Sequence, residues 1–273
     1  MGSAYTALAE GAGALAYNPA GMSSLKSVEV GFSHTNWLMD SKHDFVGIAV
    51  PVGHKMESVK QEGLGGMVMG VGLTRLTNAS IETRNADRSL GGGFASYDQS
   101  ISIGMARSFG KSRIGLGVKY IESVIADAKA KAGAVDLGYG RTLGRLPLSL
   151  GLAVQNLGTP MKYISQKDPL PLSFSAGMAV RAFGGFSLAL DVRRLVYDKQ
   201  NKVSIGTEYA VLSGFALRSG YMMGNSVKRE ADNGKNGFSL GAGLNFWNAQ
   251  LDYAVTPYGE LGNAQKITIK KQF

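Results

Sequence analysis

The sequence predicts an all-β protein, a fourteen-stranded antiparallel β-barrel that crosses a membrane. Three observations predict it. From residue 27 onward, apolar and polar residues alternate with a period of two. The polar face of that alternation is mostly Gly, Ser and Ala, and the chain closes on Ile267, Ile269, Lys271 and Phe273, an amphipathic run ending in an aromatic. Strict alternation marks strands that separate two environments. A soluble sandwich would set long charged side chains on its outer face. A barrel interior takes small residues instead, and its lipid-facing side takes aliphatics and aromatics.

Composition fits this class. There are 38 Gly in 273 residues, roughly twice the usual share of about 7%, which suits tight turns and close packing and disfavours long helices. The hydrophobic fraction of 44% is ordinary. No run approaches the roughly 18 apolar residues of a spanning helix, and alternating strands average to neutral hydropathy in any case. The formal charge of +9 comes from Lys and Arg scattered over the expected loops and strand ends. Such scatter suits anionic lipid headgroups of an outer membrane as partners, and not nucleic acid. The chain has no cysteine, which separates no compartments here. No secretion signal is visible at Met1, so the numbered chain is expected to start after one or to lack it by truncation.

Residues 1–26 stand apart from the sheet. Ser3 to Glu10 are good helix formers with Ser3 or Thr6 as caps. Gly11-Ala12-Gly13, a second Ala-rich turn and the turn signal Asn18-Pro19-Ala20-Gly21 follow. One or two short helices are expected there. Fourteen strands are then expected to begin near residues 27, 42, 64, 99, 112, 133, 146, 170, 185, 202, 213, 236, 248 and 263. Most are about ten residues long, the span of a tilted transmembrane strand. Ala249, Leu251, Tyr253 and Val255, set against Gln250, Asp252, Ala254 and Thr256, give the cleanest case. Short turns are expected near 109–111, 143–145, 183–184, 212–213 and 247, and long connections at 76–98, 123–132, 158–169, 196–201, 222–235 and 257–262. From the third strand on, long and short alternate, as outer loops and periplasmic turns do.

Catalytic chemistry finds little footing. His34, His43 and His54 lack metal-site spacing, so no metal or cofactor is expected. Gly237-Phe238-Ser239-Leu240-Gly241 matches a nucleophile elbow, but that motif needs a helix after its strand and here another strand follows. Gly65 to Gly70 likewise lacks the helix of a nucleotide site; lumen-facing glycine instead gives room for a plug. Seven charged residues fall on the small-residue face: Lys119, Arg181, Asp191, Arg193, Glu208, Arg218 and Asp252. They read either as a structural charge network holding the N-terminal segment or as a polar conduit. If the chain turns near Leu212, Glu208 and Arg218 face each other and can pair. The basic, Met-containing stretch after Met222 reads as a solvated outer loop or as a grip for varied apolar partners.

Several stretches resemble a known family. Met1-Gly2-Ser3-Ala4-Tyr5-Thr6-Ala7, followed by Asn18-Pro19-Ala20-Gly21-Met22, is similar to the N-terminal signature of FadL-like outer-membrane proteins, particularly the PorV/PorQ family. Gln155-Asn156-Leu157-Gly158 resembles that family's mid-barrel motif. Leu251 to Ala254 with Tyr258 to Gly262 resembles its closing hairpin, and Glu208-Tyr209 with Leu217 to Tyr221 fits the hairpin before it. The resemblance implies a fourteen-strand barrel, residues 27–273, with residues 1–26 folded into the lumen as a hatch to which Asn18, Pro19, Ala20 and Gly21 belong. It implies a non-enzymatic role in type IX-like protein secretion or surface export, with secretion proteins or exported cargo at the outer loops. The alternative is a FadL-like transporter of long-chain fatty acids or other hydrophobic small molecules, and the weakest is a barrel hydrolase. An open apolar path would favour transport; a sealed polar lumen with apolar loop tips would favour the secretion accessory.

Overall fold

The computed structural model of the protein describes residues 1–52, 66–79, 81–84, 87–144, 147–224, 237–259 and 262–273. Fourteen strands close into one antiparallel barrel. They are β1 Glu29–Asn36, β2 Lys42–Val52, β3 Met67–Thr77, β4 Ser96–Phe109, β5 Ser112–Ile125, β6 Ala128–Leu143, β7 Leu148–Gly158, β8 Ser173–Arg181, β9 Phe186–Leu195, β10 Gln200–Leu212, β11 Phe215–Gly224, β12 Phe238–Phe246, β13 Ala249–Pro257 and β14 Asn263–Gln272. Each pairs with its sequence neighbours. β1 meets β14 from Glu29 opposite Gln272 to Asn36 opposite Gln265, so no edge is left unpaired. Closure satisfies every ladder without water, which a sheet in lipid requires.

The two faces follow the period-two pattern of the sequence, inverted relative to a soluble protein. Along β8, Phe174 is 49% exposed while its neighbour Ser175 is 5% exposed. Leu152, Ile103 and Val118 face outward as Phe174 does, whereas Ala153, Ser102, Ala189 and Ser204 are buried inside. An exterior of exposed large aliphatics is stable only where lipid replaces water. A groove of about 480 Å³ among Leu137, Leu152, Phe174 and Val192 lies on this outer wall and belongs to the lipid-facing surface.

Loop lengths depart from the expected rhythm. Residues 123–132 form no long connection: β5 runs to Ile125, β6 starts at Ala128, and the turn is Ala126-Asp127. Ala126 adopts the left-handed conformation that such a tight turn needs (φ 52°). The long connection at 78–95 holds a hairpin of Ile81–Arg84 with Leu90–Phe94, and that at 159–172 holds Met161–Tyr163 with Gln166–Asp168. Leu170, expected at the start of a strand, is buried against Ala132 and Ala134 instead. β11 continues through Met222 and Met223 to Gly224, so these methionines belong to a strand. The remainder of the expected loop to residue 235, the turn residue Arg145 and His54 lie outside the described residues.

Inside the barrel lies the N-terminal segment. Ala12–Ala16 and Pro19–Ser24 form two 3-10 helices, but Ser3 to Glu10 form no helix despite their propensity. The backbone N–H groups of Tyr5 and Thr6 are taken by Asp191 of β9, and the Thr6 carbonyl by Asn18, so tertiary bonds outcompete the local ladder.

Candidate functional site

Among the described residues, buried polar groups gather in the lumen between this segment and the barrel wall. The first of them is Asn18. The side-chain oxygen accepts from Ala20 N (3.2 Å) and caps the second 3-10 helix, with Pro19 at the first helical position. The side-chain nitrogen donates to Thr6 O (3.0 Å) and to Tyr139 O of β6 (3.1 Å). One amide therefore ties two parts of the segment to each other and to the wall. Pro19, Ala20 and Gly21 are buried around it.

Lumen-facing glycines make this approach possible. A Cβ on Gly138 would stand 2.2 Å from the Asn18 side-chain oxygen, and one on Gly115 2.3 Å from Ala20 N. Gly151 and Gly177 admit Thr6 and Ala7 in the same way, and Gly206 and Gly220 admit Met1 and Gly2. Ala4 and Ala7 complete the fit against Ala179 and Ala189. Where small residues let one backbone approach another this closely, dispersion contacts replace hydrogen-bonded ladders.

Two carboxylates hold the segment's backbone. Asp191 Oδ2 accepts from Tyr5 N (2.9 Å) and Thr6 N (2.7 Å), while its Oδ1 has no hydrogen-bond partner among the described residues. Glu29 accepts from Ala12 N (2.9 Å) and from Gln272 Nε2 (3.0 Å). Ser239, the serine of the elbow-like motif, is the second residue of β12, and its hydroxyl accepts from Gly2 N (3.0 Å).

The seven lumen charges do not form a single network. The register places Glu208 opposite Arg218, whose Nε reaches Glu208 Oε2 at 2.5 Å and whose Nη1 bonds Asp252. Lys119 pairs with Asp136 (2.5 Å), a fully buried carboxylate that the pattern did not single out. It continues the inward-facing run Ala130, Ala132 and Ala134, and beside it the partner strand bulges, where Asn156 turns to φ 61° and its N–H also binds Asp136. Asp191 serves the N-terminal segment rather than a cation. Arg193 donates to Ser175 Oγ (3.0 Å). Arg181 is exposed at the end of β8 and joins no ion pair among the described residues; the strand ends before its side chain reaches the cluster. His34 pairs with Asp44 (2.6 Å) at the opposite end of the barrel wall from the short turns.

Two tyrosines of the segment also went unmarked in the sequence. Tyr5 and Tyr17 meet edge to face, with ring centroids 5.2 Å apart. The Lys266 ammonium, with help from Arg193, lowers the Tyr17 hydroxyl below its usual value, while burial raises that of Tyr5. Gln155 donates to Ala16 O beside them (2.9 Å).

The wall is not uniform around the segment. β13 and β14 carry no glycine, and their inner faces present Gln250, Asp252, Lys266 and Lys270. At the short-turn end of these strands a cavity of about 370 Å³ opens, lined by Glu29, Asn245, Gln250, Lys270 and Gln272 among others.

Residues 1–56 match an uncharacterised protein family (UPF0164). No curated protein sequence matches the chain. Among solved structures, the chain is similar to the Pseudomonas putida toluene transporter TodX, at 12% identity over 97% of this chain and 93% of that one, with a TM-score of 0.64. It is also similar to a Pseudomonas aeruginosa FadL homologue, at 10% identity over 97% and 94% of the two chains, with a TM-score of 0.57. Identities this low speak for the fold alone: the chain has the closed fourteen-strand architecture of the FadL-type channel barrels.

Proposed function

We propose that this protein is an outer-membrane channel for hydrophobic or amphiphilic small molecules, with residues 1–26 as a hatch and Asn18 to Gly21 as its anchor. One observation carries the reading. The lumen is filled by a segment that joins no strand ladder and is held by a few side-chain hydrogen bonds and small-residue contacts. Such a closure can be displaced without breaking the barrel. The fold shared with a toluene transporter and a FadL homologue supports the same reading, and it favours transport over an accessory role in secretion. The Arg218 cluster and the Lys119–Asp136 pair serve to stiffen the wall around the hatch. An amphiphile suits this lumen better than a pure hydrocarbon, because Tyr5 and Tyr17 offer aromatic faces beside cationic groups.

The test is calorimetry on the purified, refolded barrel with oleate and with toluene, paired with uptake by cells lacking their own channel. Saturable binding and uptake of either are expected. A barrel indifferent to both would remove the transport reading. It would leave a PorV/PorQ-like accessory role, which Met39 and Ile164 favour as apolar loop tips, 81% and 88% exposed.

A further inference from the structure

We infer that the passage through this barrel opens on one side only, between the hatch and strands β13 and β14, with Lys270 closing it and the polar cavity at the short-turn end as its exit. The inference rests on the transport reading and adds the route.

The argument is one of contrast around the wall. Along β3 to β8 and at β10 and β11, segment and wall touch through glycine or alanine. A single Cβ would clash with main-chain atoms at Gly115, Gly151, Gly206 and Gly220. No solute fits where a methyl group does not. β9 lacks glycine, but Asp191 ties it to the backbone of Tyr5 and Thr6 and Ala189 packs on the segment. β1 meets the segment at Gly31 and ties it through Glu29, which takes the Ala12 N–H. β13 and β14 have neither feature: they have no glycine, and their inner faces carry the long side chains of Gln250, Lys266 and Lys270. Flexible side chains can move aside within nanoseconds, whereas packed backbone cannot.

On that side the groups form a continuous polar line. Arg218 bonds Asp252, and Gln250 donates to Asp252 (3.1 Å). The register sets Lys270 opposite Gln250 on one side and Gly31 on the other. A Cβ on Gly31 would lie 3.9 Å from the stem of Lys270 and 4.0 Å from Ala12 Cβ, so Lys270 stands against the segment itself. Glu29 and Lys270 then line the cavity at the short-turn end. Lys270 thus borders both the cavity, beside Glu29, and the wall position facing Ala12, so its side chain is the seal between the upper lumen and that cavity.

The chain has no cysteine, so engineered disulfides give a clean test. The pair Ala12→Cys with Gly31→Cys pins the hatch at the β1 edge of the proposed passage, at a Cβ separation of 4.0 Å, inside the range of about 3.5–4.5 Å that a disulfide needs. The pair Ala7→Cys with Ala179→Cys lies on the close-packed side, where the two alanines belong to one buried cluster. Folding is checked by the faster migration of unheated barrel on a gel, and uptake of radiolabelled oleate is read in cells lacking their own channel. Uptake by the wild-type barrel tests the transport reading itself. Given that uptake, oxidation of the first pair is expected to lower it about tenfold, with recovery on reduction, and oxidation of the second to leave it within about twofold. The opposite pattern, or equal loss in both, overturns the route. Lys270→Gln is expected to raise the leak of sucrose through the folded barrel while Lys119→Gln does not; equal leaks would remove Lys270 from the seal.

Discussion

At the scale of the residue, Asn18 does three jobs with one amide: it caps a turn, holds Thr6 and binds the wall through Tyr139. None is available to Ala, and burial leaves no water to compensate. Asn18→Ala is therefore expected to cost the hatch about 1–3 kcal/mol of local stability, from the lost cap and the unmet carbonyls. Hydrogen exchange checks it: protection should fall at Ala20 and Gly21 and remain unchanged in β1 to β14. Equal loss in hatch and strands would show that the segment is part of the barrel's cooperative unit. The asparagine–proline–alanine–glycine signal was legible because each residue type serves a local rule. Asp191 and Asp136 were harder to place. Asp191 was placed on the lumen face without a named partner, and Asp136 was not seen at all. Their partners are backbone amides and a lysine on distant chain segments, and no spacing in the sequence announces them.

At the scale of the element, each strand is a two-sided object with lipid on one side and the hatch on the other. Leu152 and Ser175 are neighbours across β7 and β8 but face opposite solvents. Leu152→Arg is expected to destabilise the barrel by about 2–4 kcal/mol in a bilayer, the cost of a cation near the midplane of the lipid face. Equilibrium unfolding in lipid vesicles measures it, and a neutral result would move that face out of the membrane. All fourteen strands were legible, with starts within a few residues, because a period of two survives any tertiary arrangement. The turn at Ala126-Asp127 was not. β5 and β6 simply continue beyond the point where their alternation weakens, carried by the ladder that each provides for the other.

For the whole molecule, closure and occupancy are separable. The barrel is sealed by the β1–β14 pairing, which involves no residue of the hatch. Deleting residues 1–26 is expected to leave a folded, heat-modifiable barrel whose conductance in planar bilayers rises well above that of the full chain. A shortened barrel that fails to fold would instead make the segment a folding core, and one that folds without conducting would mean that the loops seal the lumen. The glycine surplus belongs to this scale as well. It looks like loose composition when counted, but in the closed barrel many of these residues line the lumen where the segment approaches the wall.

The sequence by itself determined the strand number, the direction of each face and the N-terminal turn. These follow from local periodicity and from residues whose preferences are set by their own backbone. Only the tertiary structure decided that Lys119 meets Asp136 and that Arg218 also reaches Asp252, that Ser3 to Glu10 abandon helix for bonds to β9, and which strands meet the hatch through glycine. Those outcomes depend on register between strands far apart in the chain and on a segment folded back into their lumen. The energy of each such contact resides in a pair of residues, and a sequence read position by position holds only one member at a time.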